Sequence, residues 1–193
     1  MKVIAINGSP KKNGNTMAAL GKMCEVLEKS GIETEIITVG NLALHGCIAC
    51  GHCGSSEQNR CVFKDDIVNE VAQKMRDADG FILGSPTYYA AIGGTMKCFL
   101  DRVFYSSSSY FRHKVAAVAA ITRRAGAVAV YNQLMNYLAL ADVVVAPTTY
   151  WSAVYGRTPG EVLQDAEGIQ TLERSAAGMA WLLKMIKESK VPA

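Results

Sequence analysis

The chain has 193 residues, half of them hydrophobic and 19% charged, with a net charge of +3. This is the composition of a single ordinary globular domain, 1–193, large enough to bury most of its apolar surface. So small a charge, with no basic run interleaved with aromatics, argues against nucleic acid. The longest clear apolar run, Val115 to Ile121, is far too short to span a membrane.

Lys2 to Ile6 is a short β-branched run that suits a buried strand. Asn7 to Thr16 follows with almost no apolar content, and then Met17, Leu20, Met23, Cys24 and Leu27 recur at helical spacing. A strand that ends in a Gly/Ser/Asn loop and re-enters as a helix turns free backbone N–H groups and a positive dipole end toward one spot, which suits a phosphate. Ser9, Asn15 and Thr16 add side-chain donors, and Lys11 and Lys12 add charge. Gly14 is followed by Asn15, so the Gly-Lys-Ser/Thr end of a nucleoside-triphosphate loop is missing. Pro10 stands where a dinucleotide fingerprint needs its second glycine, and strand two ends in Gly40-Asn41 without a ribose-binding acid. A phosphomonoester remains, against the plainer reading of a capped βα turn.

Strand patterns at Lys2–Ile6, Glu33–Val39, Gly80–Gly84, Lys114–Thr122 and Val143–Ala146 alternate with helix patterns. The helices read about Met17–Lys29, Asp66–Asp77, Thr95–Phe104, Ala127–Ala141 and Glu167–Lys187. Such alternation predicts an α/β fold, a parallel sheet with helices on both faces. Two long connections, at about 40–64 and 147–165, are lengths usually reserved for function. In a doubly wound sheet the loops after strands one, three and four converge past the carboxyl ends. Loop three offers Ser85, Pro86, Thr87, Tyr88 and Tyr89 with the Gly93-Gly94 pair, and loop four offers Thr122, Arg123, Arg124, Ala125 and Gly126. A phosphate seat, aromatic planes and a cationic loop around one crevice fit flavin mononucleotide, FMN. The plainer role for both tyrosines is to cap the core.

Cys47, Cys50, Cys53 and Cys61 lie in the first long connection. Two-residue gaps put three thiolates on one tight loop, and a fourth closes a set that could hold an iron–sulfur cluster or zinc. Consecutive short gaps favour the cluster, while free redox thiols stay open; His45 and His52 are nearby candidate ligands. Cys24 and Cys98 read as buried structural thiols. Asp101 and Arg102 read as a capping ion pair, His113 shows no partner, and Asp65-Asp66 and Glu161 to Glu167 read as helix starts. Trp151 and Tyr155, large aromatics in a long loop, need a surface such as a second subunit or the flavin.

The segments GSPKKNGNT and GSPTYYAAIGGTMKCFLDR, with the tail from Thr148, resemble the flavodoxin-like NAD(P)H-dependent FMN reductase family, and within it the iron–sulfur flavoprotein branch. The resemblance implies a flavodoxin-like three-layer sandwich with a five-stranded parallel sheet in the order 2-1-3-4-5, FMN as cofactor, and a homodimer or homotetramer. It implies a phosphate held by Ser9, Lys11, Asn13, Asn15 and Thr16, with the ribityl chain and ring against Pro86, Thr87, Tyr88 and Tyr89. Thr122 and Arg123 would border the ring's other edge, and the four cysteines resemble the compact motif of a [4Fe-4S] cluster.

The expected function is an FMN-dependent oxidoreductase passing electrons between a ferredoxin or NAD(P)H donor and a small acceptor. No residue is required as nucleophile or general base, because the flavin carries the chemistry. Arg123 or Arg124 could stabilise a reduced, anionic ring. The alternatives are a cluster-free NAD(P)H-dependent FMN, quinone or nitro reductase and, third, a flavodoxin-type electron carrier. The N-terminus enters a strand directly, and six cysteines in such a chain do not make a secreted disulfide framework, so the expected setting is cytoplasmic.

Overall fold

The computed structural model describes residues 1–56 and 58–189. Glu57, in the cysteine segment, and residues 190–193, the end of the expected domain, lie outside the described residues. Strand β1 (Lys2–Asn7) leads to helix α1 (Asn15–Lys29), then β2 (Glu33–Thr38), a one-turn helix α2 (His52–Ser55) and α3 (Val68–Asp77). Next come β3 (Gly80–Tyr88), β4 (Ala91–Ile92), α4 (Gly94–Ser107), β5 (Val115–Thr122) and α5 (Ala127–Leu140). The chain closes with β6 (Val144–Val145), β7 (Ala153–Tyr155) and α6 (Ala166–Ser189).

The path through the sheet is β2-β1-β3-β5-β6, every neighbouring pair parallel. This is the expected order, reached with more strands than five. Successive side chains on a strand point to opposite faces, and both faces here are buried. Ile4, Ile6, Phe81, Leu83, Ala116 and Val118 pack beneath α3, α4 and α5. Val3, Ala5, Ile82, Val115, Ala117 and Ala119 pack beneath α1 and α6. That explains why the strands read as continuous apolar runs rather than alternating ones.

Two differences from the sequence reading bear on the site. Strand three does not stop at Gly84, because Ser85 and Pro86 stay in register with Ala120 and Ile121 of β5. The segment expected as a loop is therefore a rigid strand end. Strand five is split: β6 pairs with Val115 and Ala116, and after Pro147 and a detour β7 resumes beside Ala120, Ile121 and Thr122. A proline has no N–H for the ladder, and the interruption places the end of β7 beside the phosphate loop. Among the described residues no helix is long and apolar enough to cross a membrane.

Candidate functional site

The loop after β1 is shaped from below by a residue the sequence reading passed over. Asn7 is fully buried; its Nδ2 donates to Thr38 Oγ1 at 3.1 Å, and its Oδ1 accepts the Ser9 N–H at 3.0 Å. Ser9 Oγ in turn accepts the Lys11 N–H at 3.2 Å. Gly40 is required by this packing: a Cβ there would lie 2.2 Å from the Gly8 carbonyl oxygen. Helix α1 starts at Asn15 with no side-chain cap and no acid in its first turn. Its first N–H groups, which have no intrahelical partner, are left to an anion.

These residues open on a cavity of about 170 Å³ lined by Ser9, Lys11, Asn15, Thr16, Pro86, Thr87, Tyr88 and Arg123, so loops one, three and four converge as expected. Thr87 Oγ1 is buried without a hydrogen-bond partner. Buried polar atoms are almost always satisfied, and an orphaned hydroxyl on a cavity wall fits a ligand rich in oxygen and nitrogen. Asn13, Tyr89 and Thr122 are not on this wall. Thr122 is buried and shapes its turn instead, donating from Oγ1 to the Ala125 carbonyl at 2.9 Å. Tyr89 and Ala90 form the tip of the β3–β4 hairpin with φ of +49° and +59°. That left-handed pair suits a two-residue turn, and it leaves the Tyr89 ring wholly in solvent, neither capping the core nor facing the cavity.

Besides Gly14 and Ile121, the cavity's wall is completed by Gly156, Arg157 and Pro159, just after β7. The sequence reading missed them because β7 itself was not expected. Glu161 accepts the N–H groups of Arg157 and Thr158 at 2.9 and 2.6 Å, so it braces this turn as well as opening a short 3-10 helix. Glu161 is held below its ordinary carboxyl value chiefly by the Thr158 N–H, with the Thr158 hydroxyl and Arg157 N–H adding to it.

The four cysteines line one small pocket with Ile48, Val62, Phe63, Arg102 and Tyr105. Burial pushes the Cys53 thiol up from its ordinary value. Four cysteines on one pocket wall are a set of soft sulfur donors, the ligand type of a polynuclear iron–sulfur group. Among the described residues no three or more His, Cys, Asp or Glu side chains form a group suited to a metal ion. His45 stacks on Phe63 at 4.7 Å, and neither it nor His52 is on this pocket's wall. The pocket leans on Arg102 and Tyr105 of α4, and at about 1.5 Å per residue Arg102 is some 12 Å along that helix from its first residue, Gly94. The cysteine segment therefore runs along α4, which brings it against Arg102 and Tyr105.

The expected Asp101–Arg102 pair does not form. Side chains of consecutive helical residues diverge by about 100°, so Asp101 binds Lys97 and Tyr137 while Arg102 turns inward to Asp66. Asp66 also accepts the Val68 N–H at 3.0 Å, which makes it the helix start expected for α3. His113 has a neighbour after all, its Nε2 lying 3.9 Å from Asp142 Oδ2. Cys24 is buried, its thiol pushed up to about 11 by burial, whereas Cys98 is only half-buried.

A doubly wound sheet with free helix N–H groups at α1 and a polar cavity beside it is the arrangement of a protein that binds a phosphate-bearing ligand. The model of the NADPH-dependent FMN reductase family matches residues 1–158. An iron–sulfur flavoprotein of Methanocaldococcus jannaschii is 32% identical over 196 residues, covering 97% of this chain and all of that one. Among solved structures, RosB with a bound formyl-riboflavin phosphate superimposes with a TM-score of 0.75 at 19% identity, over 99% of this chain and 82% of that one. An archaeal flavodoxin superimposes with a TM-score of 0.63 at 15% identity, over 95% of this chain and 99% of that one. The chain belongs to the NADPH-dependent FMN reductase family, and it is a flavin-dependent oxidoreductase with FMN as cofactor.

Proposed function

We propose that this protein is an iron–sulfur flavoprotein that moves electrons between a ferredoxin-type or NAD(P)H donor and a small acceptor. FMN supplies hydride and single-electron chemistry. Ser9, Lys11, Asn15, Thr16 and Arg157 hold its phosphate end, and the α1 dipole favours the negative charge. Pro86, Thr87 and Tyr88 line the ribityl chain and ring, with the unpartnered Thr87 hydroxyl as a direct donor or acceptor. Arg123 lies on the same wall and offsets negative charge that develops on the flavin.

The observation that carries the cluster reading is that Cys47 and Cys50 before α2, Cys53 within it and Cys61 eight residues further on all line one pocket. A relative whose name includes an iron–sulfur group matches across the whole chain, which supports the same reading. None of the six cysteines is paired in a disulfide, which is compatible with a reducing cytoplasmic setting. Half-exposed Trp151 and Tyr155, beside Tyr150, support a homodimer or homotetramer built through residues 147–165.

The test is iron and acid-labile sulfide analysis of protein purified without oxygen, with released flavin identified by chromatography. Wild type is expected to contain FMN, iron and sulfide, and Cys50→Ser is expected to lose the iron and keep the FMN. Iron-free wild type that turns over NAD(P)H with a quinone or nitro acceptor would establish the cluster-free reductase instead.

A further inference from the structure

Arg102 is the largest fully buried side chain of the described residues, 1% exposed, and it is a permanent cation. Taking a guanidinium out of water costs several kcal/mol unless its donors are satisfied, and well-packed apolar residues often replace a buried ion pair without loss of stability. The fold alone therefore does not call for a cation here. Three contacts hold it in a single orientation. Nη1 and Nη2 grip both oxygens of Asp66, the Nη2 to Oδ1 distance being 3.1 Å. Nη1 also reaches the His45 carbonyl at 3.4 Å, and the guanidinium carbon lies 5.0 Å from the Phe63 ring centre. With both terminal nitrogens engaged, Nε–H points to Cys61 Sγ at 3.2 Å.

A neutral thiol is a weak acceptor, whereas a sulfur carrying negative charge makes a much stronger, charge-assisted bond to a cation. The arginine cannot give up its proton, so the Nε–H is always presented. Asp66 also accepts the Val68 N–H at the start of α3, which anchors the arrangement to the scaffold.

We propose that Arg102 is a positioning residue for the Cys61 sulfur and raises the reduction potential of the cluster that the four cysteines bind. The proposal rests on the cluster reading given above. One electron from an external ferredoxin-type reductant adds one negative charge to the cluster–thiolate unit, with no proton taken up and no bond broken. Hydrogen bonds and positive charge at a cluster's sulfurs favour the reduced form. The Asp66 carboxylate offsets the charge, but it grips the far side of the guanidinium, so the nearer N–H dominates at sulfur.

The experiment is a redox titration followed by electron paramagnetic resonance, on anaerobically purified protein with FMN and iron quantified in every sample. Arg102→Gln leaves Asp66 buried without a partner and so endangers folding; the test variant is Arg102→Gln with Asp66→Asn, which removes both charges together. Its cluster is expected to shift about tenfold toward the oxidised form, about 59 mV lower for one electron, while the FMN potential stays put. Arg102→Lys, keeping charge without the fork, is expected to fall between. An unchanged potential in an iron-loaded double variant overturns the role of Arg102 and leaves the cluster reading standing. Iron-free wild type overturns the cluster reading itself and this role with it.

Discussion

Asn15, the first residue of α1, accepts the Val162 N–H on its side-chain oxygen at 3.4 Å, across 147 residues of sequence. One side chain thus joins the end of the loop after β1 to the 3-10 helix that follows β7. The cavity proposed for the phosphate has one wall, Gly156, Arg157 and Pro159, contributed by the C-terminal third of the chain, so its geometry depends on how β7 docks. Changes at Val162 or Gly156 should then act on FMN as directly as changes in the loop itself.

Asn15→Asp separates the two roles of this position. The aspartate keeps an oxygen for Val162 but puts a negative charge against the phosphate. FMN affinity should fall at least tenfold, about 1.4 kcal/mol, in a flavin-fluorescence titration of the apoprotein. The same acid sits at the first turn of a helix that has none, where it stabilises by about 0.3–1 kcal/mol. The apoprotein should therefore melt slightly higher than wild type while binding FMN less well. Unchanged FMN affinity would move the phosphate elsewhere.

Gly156→Ala tests the wall after β7. The added Cβ would lie 2.6 Å from the Val162 nitrogen and 2.9 Å from Asn15 Nδ2, so one of the two must move. Since Asn15 also lines the cavity, FMN should dissociate at least tenfold more readily, about 1.4 kcal/mol, read by stopped-flow fluorescence. An alanine variant that binds FMN as wild type does would show that the turn is tolerant and takes no part in the site.

Tyr137 gives the fold an alkaline dependence. Its hydroxyl is pushed up to about 12 from 10.0 by burial and by the hydrogen bond to Asp101, with Lys97 opposing. The folded state then keeps a proton that the unfolded chain releases, so this contribution is fully present below pH 10 and is lost as pH rises toward about 12. Cys24, pushed up to about 11 by burial, works with the same sign. In urea melts at pH 9 and pH 11, wild type should lose more stability than Tyr137→Phe does. Equal losses would mean that the phenol titrates normally in the folded protein.

Trp151 and Tyr155 test the assembly. Both are about half exposed in the single chain, at 47% and 49%, next to the more exposed Tyr150. Clustered aromatics of this kind mark interfaces. Wild type should sediment as a dimer or tetramer at micromolar concentration, and Trp151→Ala with Tyr155→Ala should shift it to a smaller species. A monomeric wild type would assign these rings to some other surface.

The amino-acid sequence alone determined what depends on neighbouring residues. The strand–loop–helix at Lys2 to Lys29 and the alternation that yields a parallel sheet could be read directly, as could the converging loops around Thr87 and Arg123. Periodicity and loop chemistry are written in consecutive positions. The spacing of Cys47, Cys50 and Cys53 could likewise be read, and it put three thiols on one loop. What only the tertiary structure decided is set by chain path and by which side of a helix a residue occupies. Asp101 and Arg102 are adjacent in sequence, yet they serve a surface cluster and the cysteine pocket respectively. Asp66 reaches Arg102 across 36 residues and Val162 reaches Asn15 across 147, and neither partner bears a local signature of the other. The split of strand five at Pro147 belongs to the same class: the proline was visible, but β7 forms only because the open edge of β5 offers unpaired groups at Ala120 to Thr122. A backbone edge without a partner draws in whatever segment can reach it, and that reach is a property of the folded chain.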